Sequence, residues 1–165
     1  MRNLYRQILL ILSISILSTF AYGAVVQLAG HWVADAGTVS SNIGISGKCS
    51  KIEIIIEQTD SYVLTKKYTA ECGMGNIMGS TWGPVRDDIK DGKIYEAGNE
   101  VGTIDATTMR TTAPDSGANY AYNLRIRTGS DGQPEMETYY ATQNAVGAIA
   151  IEGILHKVNS RTDSK

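Results

Sequence analysis

The clearest regular pattern in the chain is an alternation of apolar and polar positions. Tyr120, Tyr122, Leu124 and Ile126 interleave with Ala121, Asn123, Arg125 and Arg127. A period of two is that of a β-strand with one face buried. Turn residues follow from Gly129 to Pro134, and then a second run, Glu135 to Thr142. Pairing positions whose numbers sum to 262 sets Arg127 opposite Glu135, Arg125 opposite Glu137, Ile126 opposite Met136 and Tyr122 opposite Tyr140. Charge then meets charge on one face and apolar meets apolar on the other. Exposed ion pairs stabilise little, but they mark the register.

A second hairpin is written between the two cysteines. Cys49 to Gln58 places Ile52, Ile54 and Ile56 on one face and Lys51, Glu53 and Glu57 on the other; Tyr62 to Cys72 follows, with Thr59-Asp60-Ser61 as the turn. With a two-residue turn at Asp60-Ser61, Cys49 faces Cys72 at a hydrogen-bonded site, where Cα atoms stand about 5.5 Å apart. That is within disulfide range, so a Cys49–Cys72 bond is expected, unless a bulge or longer turn moves the count.

The remaining chain reads as short strands and turns. Leu28 to Val33 is an opening strand, and the Gly- and Ser-rich stretch 36–47 a loop. Residues 73–79 are a second loop, followed by a strand over Ser80 to Ile89 broken at Pro84. Asp91-Gly92 is a type I′ hairpin signal. Lys93–Glu96 and Val101–Ile104 flank a turn at Gly98-Asn99, Thr107–Thr112 is a strand, and Pro114 to Gly117 a turn. Ala148–Val158 is the last strand, with Ile149, Ile151 and Leu155 on one face. No helical periodicity follows residue 23. The expected class is therefore all-β, an antiparallel up-and-down barrel of about eight to ten strands, with a two-sheet sandwich as the other architecture.

The first 23 residues differ from the rest. Arg2 and Arg6 precede an apolar run from Ile8 to Leu17, and Ala21-Tyr22-Gly23 offers small residues for cleavage. This is the layout of a secretory signal peptide, the alternative being a retained anchor. The expected organisation is a leader over 1–23, one barrel domain over 24–158 and a polar tail over 159–165. The expected location is the periplasm or beyond, with no stable membrane span after cleavage. An oxidising compartment also suits two paired cysteines. The formal charge of −2 falls to −4 when Arg2 and Arg6 leave, and no basic cluster exists for nucleic acid.

Gly30-His31-Trp32, close behind such a leader, resembles the G-x-W that opens the first strand of lipocalins, exported barrels of the calycin superfamily. The meander, the length and the closing strand Gly153 to Val158 are similar to small lipocalin-like proteins of bacteria. The family's T-D-Y-x-x-Y motif is absent, Glu137-Thr138-Tyr139-Tyr140 departing from it. So is the helix after the barrel. The arginine that packs over the tryptophan is also missing, unless Lys157 takes that place by a cation–π contact. The resemblance implies a barrel around a small ligand; it carries no ligand specificity.

The chemistry-bearing residues are few. His31 and His156 do not make a zinc site without further ligands, and Met74 and Met78 are gap-fillers before they are copper ligands. Asp87 and Asp88 point to opposite faces of a strand and read as solvated charge before a turn. No nucleophile stands with a base and an orienting group, so no enzyme, cofactor or metal is expected. The inward set, and hence the candidate ligand-binding residues, is Ile52, Ile54, Ile56, Tyr122, Leu124, Ile126, Met136 and Tyr140, joined by Ile149 and Ile151 from the last strand. Such a barrel either is filled by these side chains or encloses one small ligand. The first case implies an envelope or host protein bound through segments 36–47 and 73–81. The second implies a small apolar or amphipathic ligand.

Overall fold

A computed structural model describes residues 24–44, 46–73, 79–115, 118–145 and 147–158. The expected leader and tail lie outside them, as do Met74 and Met78. Among the described residues twelve strands form one antiparallel sheet that closes on itself. β1 (Gly30–Ala34) and β2 (Gly37–Ser41) both lie between β3 (Ser46–Gln58) and β12 (Ala148–Lys157), as two halves of one strand position. β5 (Gly79–Trp82) and β6 (Val85–Lys90) likewise share one edge of β4 (Tyr62–Cys72), divided at the cis Gly83–Pro84 bond. β7 (Lys93–Glu96), β8 (Asn99–Ile104), β9 (Thr108–Asp115), β10 (Ala118–Thr128) and β11 (Pro134–Asn144) complete the meander. The result is a closed, up-and-down barrel with ten strand positions.

The β10–β11 register is the one the charge pattern requires: Arg127 opposite Glu135, Arg125 opposite Glu137, Ile126 opposite Met136, Tyr122 opposite Tyr140. Arg127 bonds Glu135 at 2.9 Å and Glu137 at 2.9 Å on the outer face. Between β3 and β4 the expected pairing holds at both ends, Gln58 with Val63 and Cys49 with Cys72. In between it slips by one residue, because Lys66 is an extra residue on β4 and Ser50 a compensating one on β3. Cys49 and Cys72 are disulfide-bonded, with Cα atoms 3.7 Å apart. This is closer than a regular hydrogen-bonded pair, at a point where the Ser50 bulge interrupts the ladder.

Two expected loops are corrected. Segment 36–47 contains β2, whose single buried apolar side chain, Val39, is too little for a period to be read. Its Gly37 lies across from Gly153, and the Ile52 side chain fills the space above both. A Cβ at either glycine would come within 2.6 Å of Ile52 Cδ1. The turn expected at Pro114 is instead the end of β9. That end has no β8 neighbour, and an edge tolerates a residue without an N–H.

One end of the barrel is plugged. Val26 and Leu28 are buried ahead of β1, the Val26 amide donating to Asp105 O at 2.7 Å and the Leu28 amide to Gln58 Oε1 at 2.6 Å. Above them Trp32, Ile54, Met109, Leu124, Met136 and Leu155 are fully buried and pack the interior solid. The opposite end is built differently.

Candidate functional site

The opening at that end follows from where pairing stops. β7 is laddered to β6 only through Asp88–Lys90, and β8 to β9 only through Gly102–Ile104. At Gly102 the two strands approach so closely that a Cβ would lie 1.9 Å from Arg110 O. Beyond these contacts the β7–β8 hairpin leaves both neighbours and turns at Ala97-Gly98, both in the left-handed region (φ 49° and 86°). Beneath the tip lies a cavity of about 670 Å³, large enough for a small ligand.

Its inner wall is aromatic. Trp82, Tyr122 and Tyr140 face the space, and Tyr68 backs them. Tyr68 and Trp82 stack with centroids 5.0 Å apart, and Tyr122 meets Trp82 edge-on at 5.3 Å. Tyr140 tilts against Trp82 at 5.8 Å. Offset and edge-on contacts of this kind stabilise by about 0.5–1.5 kcal/mol per pair beyond area burial, so the wall is a rigid unit.

Polar groups interrupt that wall without being satisfied. The hydroxyls of Tyr122, Tyr68 and Thr65 and the Trp82 indole N–H are buried with no hydrogen-bond partner among the described residues. Thr65 lies beside the Tyr122 hydroxyl and works against the burial that raises its pKa. Burial holds the Tyr122 and Tyr68 hydroxyls well above the usual phenol range. Asp87 also lines the cavity. It is 4% exposed, and burial, with Glu96 and Asp88 adding like charge, pushes its carboxyl up to about 7. Tyr120 donates its hydroxyl proton to Glu96 on the hairpin.

Asp87 is therefore not solvated charge. It points inward while Asp88 points outward and pairs with Arg86 at 2.8 Å. The signal was present, because Val85, Asp87 and Ile89 alternate and place the aspartate on the apolar side of β6. Trp82 carried no such signal, since a four-residue strand before Gly-Pro is too short to show a period. Of the expected ligand-binding residues, the structure brings Tyr122 and Tyr140 to the cavity. Ile52, Ile54, Ile56, Leu124 and Met136 sit in the packed core, with Ile126 against it. Ile151 is part of that core and Ile149 packs on it.

The outer surface holds one further cluster. Glu53 is bonded by Lys67 at 2.8 Å and His31 at 2.8 Å, with Lys51 at 3.4 Å; the Lys67 bond leads in pulling its carboxyl down to about 2. His156 lies on the surface, 3.8 Å from Glu135. Among the described residues no three metal-ligating side chains converge. No known protein family, curated protein or solved structure matches this chain.

Proposed function

We propose that this is an exported binding protein, not an enzyme, which holds a small amphipathic ligand in the cavity under the β7–β8 hairpin. The observation that carries this is the coincidence of space with unmet polarity. A buried polar group without a partner costs about 1–3 kcal/mol, and a ligand supplying one recovers that. A filled barrel has no use for the Asp87 carboxyl, buried beside like charge and 670 Å³ of open volume.

Export is supported by the Cys49–Cys72 bond, which belongs to an oxidising compartment. The leader-like pattern of residues 1–23 points the same way. Among the described residues no helix is long and apolar enough to cross a membrane. The outward side chains of β10 and β11 form ion pairs suited to water. A lipocalin-like ancestry is supported by Lys157, whose ammonium stands over Trp32 where the family has arginine.

The test is native mass spectrometry of protein purified from its own compartment. A co-purifying small molecule, absent from a Trp82→Ala variant, is expected. Ligand-free wild type with a stable heteromeric mass would overturn the reading in favour of a protein-binding barrel.

A further inference from the structure

The charge around the cavity is one-sided. Asp87, Glu96 and Glu100 line it, and among the described residues no Lys, Arg or His does. Glu100 is engaged by Lys93 at 2.7 Å toward the rim, and Glu96 accepts from Tyr120. Asp87, the deepest of the three, has no hydrogen-bond partner and no counter-charge among the described residues. An anionic ligand would meet the like charge of the buried Asp87 with Glu96 beside it, which is disfavoured where water is excluded. A purely apolar ligand would leave the Asp87 carboxyl without a partner.

Two features favour a cation. A buried carboxyl group is stabilised in its ionised form by a paired ammonium. The faces of Trp82 and Tyr140 attract positive charge, tryptophan most strongly. Resting on the reading of this cavity as a ligand site, we propose that the ligand is a small organic ammonium ion. Its ammonium sits at Asp87 and its carbon frame on the aromatic wall.

The probes are three molecules of one shape: 2-amino-1-phenylethanol, 1-phenylethane-1,2-diol and mandelate, carrying positive, zero and negative charge. They are titrated into the disulfide-bonded protein at mildly alkaline pH by calorimetry, with the Trp82 indole resonance as the site reporter. The ammonium compound is expected to bind about ten-fold or more tightly than the diol, and mandelate not at all. Asp87→Asn is expected to bring ammonium and diol within about two-fold, while Asp88→Asn, on the outer face, keeps the preference. Glu96→Gln is a second variant, should Asp87→Asn not fold, and is expected to weaken the same preference. Equal or tighter binding of the diol or mandelate at Trp82 overturns the assignment to cations and leaves the cavity a ligand site. Failure of all three to bind also overturns it, and the native mass measurement then decides the cavity by itself.

Discussion

The Lys157 ammonium stands 5.4 Å from the centroid of the Trp32 ring, directly across the β1–β12 pair that closes the barrel. Its Cε occupies the space where a Gly30 side chain would begin, 2.5 Å from that Cβ position, and the Trp32 N–H donates to Leu28 O at 2.8 Å. Lys157 thus ties the first strand to the last, and Trp32 ties both to the plug.

Lys157→Ala is accordingly expected to destabilise the barrel by about 1 kcal/mol through lost cation–π attraction and stem packing, with Lys157→Arg close to wild type. Gly30→Ala is expected to cost more, because φ there is 146° and the lysine must move. Urea unfolding midpoints at constant m-value measure all three.

The Cys49–Cys72 bond joins bulged strands across a sequence separation of 23. Replacing both cysteines by serine is expected to lower stability by roughly 3 kcal/mol, chiefly through a freer unfolded chain. Chemical unfolding of the variant against oxidised wild type measures this; an unchanged midpoint would show that the bond constrains nothing.

Much of the fold was legible because strand alternation and turn chemistry are local. The Arg127–Glu135 register, the Asp91-Gly92 turn and the Cys49–Cys72 pairing all follow from residues within one hairpin. β2 was not legible. Its packing is a glycine pair, Gly37 and Gly153, under Ile52, and these are brought together only by closure. The candidate site was half legible for the same reason. Tyr122 and Tyr140 follow from periodicity. The inward side of Asp87 is written in the alternation of Val85, Asp87 and Ile89; Trp82 gains its meaning only from the β7–β8 hairpin leaving its neighbours, a three-dimensional event with no sequence period.

Asp87 gives stability a pH dependence of known sign. Its carboxyl moves from an ordinary 3.8 to about 7 in the folded protein, first by burial and then by Glu96 and Asp88, with the Tyr122 hydroxyl facing it from β10. Below 3.8 both states hold the proton and nothing is lost. Between 3.8 and about 7 the unfolded chain releases it first, so the native state loses stability as pH rises; above that the loss is constant. Asp87→Asn removes this dependence. The ligand-free variant is expected to match wild type in acid and to exceed it by a few kcal/mol at neutral pH and above. Parallel pH profiles of the two proteins would contradict the assignment.

The central claim, a ligand cavity at the open end of a barrel solid at the other, is tested most directly by the two indole N–H resonances. Trp82 lines the cavity with an unpartnered N–H, and Trp32 is bonded to Leu28 O at the plugged end. Two-dimensional NMR of the disulfide-bonded protein, titrated with the small-molecule extract of its own compartment, is expected to move the Trp82 signal and leave Trp32 in place. A Trp82 signal that stays fixed, or a Trp32 signal that moves alone, would contradict the account.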